Sequence, residues 1–487
     1  MKTTSTAAYR AVQDSGIIVL PSERLLYEYS NAVDPEAGRT TSKLDRVCQR
    51  IADLYPESYQ KYHVLLMDEM HISKKLVFLK SSGEMVGYVS VNSAEKELEL
   101  LEAELNGNTV PDTPPLATKM QAYMVKGVAT AVAEVVGTFP TTDAYDCEQL
   151  YDITWDVIGC LERSGLKVIA IVSDGNSVYR KFYNLHVPLT RTDSGVVFDT
   201  TNLCAPSRLL YFFADPPHLL KTIRNCFNKS GQSSSRLLTI NGQVIVWQTI
   251  KQLYHADQDQ TFRRCFKLNA ENVYLNSFTV MKVNYAAQVL SNTVALDLAS
   301  RNWPGTSETV NFIELVNYFF DMLNGASSEQ GKRRANSNLD PYTDANDVRF
   351  DKLLDFLNYL KKWKEQVESK ENFTSAERAK MMLSQQTQDG IEITVRAFVG
   401  AVIFLLGEGV KFINARVFCQ DPLELYFSKQ RQSGGGSKNP TAAQVLRNEV
   451  KIGVHRDINV RKSNVLGNIR EMEVSHQPLA KRVRKSK

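Results

Sequence analysis

Across its 487 residues the sequence has no CxxC pair, no Cys/His array at zinc-ligand spacing and no G-x-x-x-x-G-K-[ST] loop. Its seven cysteines (Cys48, Cys147, Cys160, Cys204, Cys226, Cys265 and Cys419) are scattered and odd in number. That pattern argues against a disulfide framework or a zinc finger and for reduced thiols in an intracellular compartment. The opening MKTTSTAAYR lacks the apolar core of a secretory signal. The best membrane candidate, Ile391 to Leu406, is shorter than the ~20 apolar residues of a span and carries Arg396, so it reads as a buried helix. Gly325 and Gly331 are separated by five residues where a phosphate-binding loop has four, and no strand precedes them.

What is present is an ordinary soluble composition, 43% hydrophobic and 23% charged, with a net charge of +4. A chain of this length can bury more than one core. Lys481, Arg482, Arg484, Lys485 and Lys487 crowd into its last eight residues. Such a cluster reads either as a nuclear-localisation or nucleic-acid patch or as a solvated tail.

Two short apolar runs end in a carboxylate. His63 to Met67 is followed by Asp68, and Val168 to Val172 by Ser173 and Asp174. Each has the form of a buried strand delivering an acid to a sheet edge, and together they point to one shared site. Glu69 adjoins Asp68 but on an extended strand faces the other side. Leu209 to Ala214 is a third such strand, ending at Asp215, which stands as an alternative to Asp174.

In chain order, helical patterns cover Ala7 to Ser15 and Leu44 to Leu54, with Ser22 placed to cap a helix through ERLLYEY. Leu76 to Lys80 and Met85 to Val91 flank a hairpin turn, and Ala94 to Pro115 reads as an exposed excursion. Gln121 to Val136 supplies one or two strands, although its alanines leave helix open. Leu150, Ile153, Val157 and Leu161 recur at helical spacing, with Gly165 as the stop. From Leu219 to Leu406 the texture is mostly helical: Leu219 to Phe227, Val244 to Leu253, Phe278 to Leu298, Val310 to Leu323, Phe350 to Trp363 and Ile391 to Leu406. An Asn241-Gly242 turn interrupts it, and Ser327 to Asp347 reads as a polar, mobile loop. In the last patterned stretch Asp421 caps a helix from Pro422 with Glu424 in its first turn, and the run Gly434 to Gly436 breaks it.

YHVLLMDEMHI, IAIVSDGNS, FFADPPHLLKTIRN, AAQVLSNTVA and above all QDPLELYFSKQRQSGGGSKNPTAAQV together resemble the P-element transposases and THAP-domain transposase-like proteins. AYRAVQDSGIIVLPSERLLYEY resembles their helix-turn-helix segment, and the resemblance runs to about Leu446. It implies an α/β, ribonuclease-H-like mixed sheet with helices, interrupted by a large, mostly helical insertion that binds GTP in the P-element enzyme. The expected division is a helix-turn-helix-like segment at 1–60, the ribonuclease-H-like domain at 61–214 and 415–450, the insertion at 215–414 and a basic tail at 451–487. One departure is the missing Cys/His array of the THAP domain with which such proteins usually begin.

By position, the resemblance makes Asp68, Asp174 and Glu424 the catalytic, metal-holding triad. It puts DPPH at the insertion boundary, which favours Asp174 over Asp215; Pro216, Pro217 and His218 read as shaping that junction, since a lone histidine is usually structural. The match around Glu424 outweighs Glu392 and Glu408 as the third acid. Such a triad suits two Mg²⁺ ions about 3.5–4 Å apart, which serve the attacking and leaving oxygens of a phosphodiester. Lys429, Arg431 and Lys438 are the expected DNA-contacting cations. The function expected is DNA cleavage and strand transfer by a nuclear homo-oligomer with no membrane association. The alternative is a domesticated, non-catalytic DNA-binding or scaffold protein.

Overall fold

The computed structural model describes residues 6–17, 19–30, 38–39, 48–49, 53, 55–79, 84–89, 105, 115–143, 147–232, 234–258, 260–433 and 439–457. The glycine run at 434–436, Lys438, the basic cluster at the C-terminus and nearly all of the 94–115 excursion lie outside them, as does most of the Leu44–Leu54 pattern.

Two short helices open the described chain, α1 (Thr6–Asp14) and α2 (Glu23–Ser30). Ser22 Oγ accepts the Leu25 N–H at 3.1 Å, the cap expected from its position. There follow strands β1 (Gly38–Arg39), β2 (Tyr62–His71), β3 (Val77–Leu79), β4 (Glu84–Val86), β5 (Lys119–Gly127) and β6 (Ala133–Thr141). Helix α3 (Cys147–Arg163) leads to β7 (Lys167–Ser173), and α4 (Ser177–Asn184) is followed by β8 (Asp199–Thr201) and β9 (Leu209–Ala214). Seven of these strands form one mixed sheet in the order β1-β6-β5-β2-β7-β9-β8.

The alternating pattern of Gln121 to Val136 resolves as the two strands β5 and β6, paired antiparallel. Strand β5 also pairs with β2, so neighbours on both sides take up its backbone groups. That arrangement overrides the helical preference of its alanines. At the centre of the sheet Val64, Leu65, Leu66 and Ile171 are fully buried. Each such side chain contributes about 1.5–3 kcal/mol by leaving water.

Beyond β9 come α5 (Pro216–Asn228), the hairpin β10 (Leu238–Ile240) and β11 (Gln243–Ile245), and α6 (Gln248–Gln258). The hairpin turn has φ of 51° at Asn241 and 75° at Gly242, the positive pair that a two-residue primed turn needs. The helix expected from Val244 therefore begins only at Gln248, because Val244 is used in the hairpin. The run expected as one helix from Phe278 to Leu298 is broken instead. A 3₁₀ turn covers Thr279–Met281, α7 is Val283–Val289 and α8 is Asn292–Ser300. Ser291 at the break is extended, and the Asn292 N–H donates to Asn317 Oδ1 at 3.1 Å rather than within the helix. Side-chain bonds of this kind compete with helix continuation.

Helices α9 (Ser307–Leu323), α10 (Ser328–Arg334), α11 (Val348–Glu368), α12 (Ser375–Lys380) and α13 (Gln385–Gly407) complete the helical region. The stretch Ser327 to Asp347, expected as a mobile loop, is packed. It holds α10 and a 3₁₀ turn at Ser337–Leu339, and Leu339 and Tyr342 are buried. Arg349 fixes its far end, with the guanidinium 3.7 Å from the Tyr342 ring centroid and a 2.6 Å bond to the Asp340 carbonyl. This polar segment is held by a stacked cation and one aromatic anchor, which its composition conceals.

Helix α13 is long and apolar enough to cross a membrane, yet more than half of its apolar stretch is buried inside the protein. It lies along β9: Thr394 Oγ1 accepts the Ala214 N–H at 3.1 Å and donates to the Ala214 carbonyl at 2.8 Å. Gly400 permits that approach, since a Cβ there would fall 2.7 Å from the Tyr211 ring. Two further helices close the described chain, α14 (Asp421–Ser433) and α15 (Ala442–Asp457).

Candidate active site

Three adjacent parallel strands bring their acids to one level of the sheet edge. Leu66 on β2 pairs with Val172 on β7, and Val172 pairs with Phe213 on β9. Two residues beyond each of these stand Asp68, Asp174 and Asp215. Groups at the carboxyl ends of neighbouring parallel strands converge in this way, because the strands run in register and the connections leave the edge open.

Asp68 is partly buried and accepts the Glu69 N–H at 2.8 Å. Burial, then the Asp174 charge, push its carboxyl up to about 7. Glu69 points elsewhere and pairs with Lys119 at 3.0 Å. Asp174 Oδ1 accepts the Asn176 N–H at 2.9 Å, and Asn176 in turn caps α4.

Asp215 is almost fully buried and serves as a joint. Its Oδ2 caps α5 by accepting the His218 N–H at 3.1 Å, and its Oδ1 accepts the Gln420 N–H at 2.9 Å. Gln420 immediately precedes α14, and its side-chain amide donates to the carbonyls of Met67 at 2.7 Å and Val172 at 3.4 Å. The chain is thereby tied to β2 and β7 directly below their aspartates, one helical turn before Glu424. Asp421 does not cap this helix as expected; it is the helix's first residue and pairs with Arg416.

Glu424 is 49% exposed, and its Oε1 lies 3.7 Å from His218 Nε2. Burial raises its pKa, and His218 works in the opposite direction. His218 Nδ1 lies 3.0 Å from Asp215 Oδ2, but without the geometry of a hydrogen bond. Burial opposes charge on this ring, yet Asp215 and then Glu424 raise its pKa overall. Lys221, one turn further along α5, is lowered by burial while the charges of Glu424, Asp174, Asp215 and Asp68 draw it upward. His218, Lys221, Asp215 and Gln420 thus belong to the site; the sequence offered Asp215 only as an alternative to Asp174, read His218 as structural and gave Lys221 and Gln420 no part. The one available signal was that α5 begins at the end of an apolar strand, as the aspartate-bearing runs do.

The rejected third acids are engaged elsewhere. Glu392 pairs with Arg396 at 2.8 Å. Glu408 accepts from the Tyr62 hydroxyl at 2.8 Å, at the opposite end of β2 and about 20 Å along the strand from Asp68. Lys429 and Arg431 are exposed on α14. At about 100° per residue Arg431 shares the Glu424 face two turns away, whereas Lys429 is turned about 140° from it.

The oxygen-rich donor set suits a hard cation, which would favour the ionised form of an Asp68 carboxyl that burial and then the Asp174 charge disfavour. Among the described residues, however, no three Cys, His, Asp or Glu side chains are gathered as a ligand cluster. The Asp174 and Glu424 charges both act on Asp68, and the half-exposed Glu424 carboxylate lies at His218.

The mixed sheet and this acidic edge define a ribonuclease-H-like protein. Three family models match in order: the TNP-like RNase H N-terminal domain over residues 35–186, the TNP-like GTP-binding insertion domain over 217–335 and the TNP-like RNase H C-terminal domain over 418–445. The chain belongs to the P-element-like transposase family. The transposable element P transposase of Drosophila melanogaster is 29% identical over 181 residues, 36% of this chain and 22% of that protein's length. The structure of the Drosophila P element transposase strand transfer complex has the same fold, with a TM-score of 0.69 and 23% identity. That likeness covers 93% of this chain and 89% of that one.

Proposed function

We propose that this chain is a DNA transposase or nuclease that cleaves phosphodiesters and transfers strands at Asp68, Asp174 and Glu424. The observation that carries the reading is the common level of Asp68 and Asp174 on adjacent parallel strands, with the helix bearing Glu424 pinned beneath them by Gln420. In this reading Asp68 and Asp174 would hold divalent cations, Mg²⁺ by the hardness of the donors, and Glu424, kept at the edge beside His218, would complete the set. Ions held there by these carboxylates would supply activation of the attacking oxygen and charge stabilisation of the leaving one.

The protein's own groups align the backbone. Lys221 supplies positive charge at the acidic edge, and Arg431 extends it along α14 toward the path of a phosphate chain. Lys429 and Lys438 complete the proposed contacts, which fix register and carry little sequence information. The helical region, proposed to span 215–414, is the part of the chain that takes GTP, in keeping with its family model. A homo-oligomer working in the nucleus completes the proposal.

The test is cleavage of a supercoiled plasmid carrying the genomic flanks of the protein's own gene, with Mg²⁺. Asp68→Asn is expected to abolish nicking while leaving most DNA binding intact, because it removes a metal ligand and no DNA-facing cation. Equal nicking by wild type and Asp68→Asn would overturn the catalytic reading.

A further inference from the structure

Glu424 reaches the site from a helix that follows the rest of the acidic edge by about 200 residues of chain. Its position is therefore set entirely by tertiary contacts. The Asp215 carboxylate organises two of them at once. One oxygen holds the Gln420 N–H at 2.9 Å, and the Glu424 N–H bonds to the Gln420 carbonyl at 3.1 Å, so the first turn of α14 is fixed. The other oxygen holds the start of α5 and lies 3.0 Å from the His218 ring, whose far nitrogen stands 3.7 Å from the Glu424 carboxylate. The imidazole is thus wedged between a buried acid that cannot move and a half-exposed one that can.

We propose that His218, braced by Asp215, is the positioning residue that sets the Glu424 side chain toward Asp68 and Asp174. The inference rests on the proposed two-ion function, and it assigns His218 no contact with the reacting atoms. A carboxylate on a first helical turn has several rotamers, most of which lead into solvent. A ring nitrogen at its tip selects the ones that stay over the sheet edge. Groups that orient metal-holding side chains in this way typically account for 10–100-fold in metal affinity.

The experiment is a Mn²⁺ titration of the full chain, with free Mn²⁺ read by electron paramagnetic resonance, alongside thermal unfolding in EDTA. Wild type is expected to take two ions, both lost or severely weakened in Asp68→Asn. His218→Ala is expected to weaken one ion about 10–100-fold and leave the other unchanged. His218→Gln, which keeps an N–H within reach of Glu424, recovers most of that loss. In a Glu424→Gln background, His218→Ala adds nothing further, since both act on one ion. Two ions bound normally by His218→Ala, or a loss that adds to that of Glu424→Gln, overturns the inference.

If wild type binds no Mn²⁺ that Asp68→Asn removes, the two-ion reading fails, and the metal-free unfolding decides on His218 by itself. A double variant less destabilised than the two single ones together keeps the His218–Glu424 coupling. Simple additivity of the two ends it.

Discussion

The side-chain amide of Gln420 donates a 2.7 Å hydrogen bond to the main-chain carbonyl of Met67, the residue before Asp68. The two are 353 positions apart in the chain. This bond, with its 3.4 Å companion to Val172, turns the far end of the sequence into a floor beneath the two aspartates.

Because Gln420 is fully buried, Gln420→Ala leaves the Met67 carbonyl without this donor. The expected loss is about 1–3 kcal/mol of unfolding free energy, read by urea denaturation. Cleavage should fall further than stability accounts for, because the first turn of α14 loses its tether. Unchanged denaturation would show that the floor contributes nothing.

Burial, reinforced by Asp174, holds the Asp68 carboxyl up to about 7. The fold therefore keeps a proton that the unfolded chain releases near about 4. The favourable contribution is complete below that unfolded value and is withdrawn as pH rises through about 7. In EDTA, wild-type Tm should fall between pH 5 and pH 8 by more than the Tm of Asp68→Asn. Equal falls in the two proteins would contradict the environment assigned to Asp68.

Two glycines of α13 should respond in opposite senses. Gly400 has the Tyr211 ring in the space a side chain would need, so Gly400→Val is expected to cost about 1–3 kcal/mol. Gly407 has open space around it, and Gly407→Ala should stabilise by up to about 1 kcal/mol through helix propensity. Thermal unfolding of the pair checks how closely α13 lies on β9.

Among the cations proposed to meet DNA, Arg431 shares the face of Glu424 and Lys429 does not. Arg431→Ala should therefore flatten the salt dependence of DNA binding more than Lys429→Ala, and by a similar amount on unrelated sequences. Slopes in both variants equal to that of wild type would remove α14 from the phosphate path.

Much of this was legible in the residues. Asp68 and Asp174 could be found because a buried strand has a short apolar run and its end is marked by the first acid. The Asn241-Gly242 hairpin could be found because only certain residues take two successive positive φ values. Glu424 came from resemblance, and its helix was readable from the pattern of Leu423, Tyr426 and Phe427. The break at Ser291 and the packed segment around Tyr342 were not readable. Each depends on a side-chain contact that periodicity does not register: Asn317 at the break and Arg349 on the Tyr342 ring.

Periodicity and strand-end chemistry by themselves determined where the carboxylates fall along the chain and which runs are buried. Only the tertiary structure decided that Asp215 is a joint, that Gln420 spans two strands and that His218 stands against Glu424. Local sequence encodes what a segment prefers for itself. A hydrogen bond between residues hundreds of positions apart exists only after the sheet edge, α5 and α14 have been brought together.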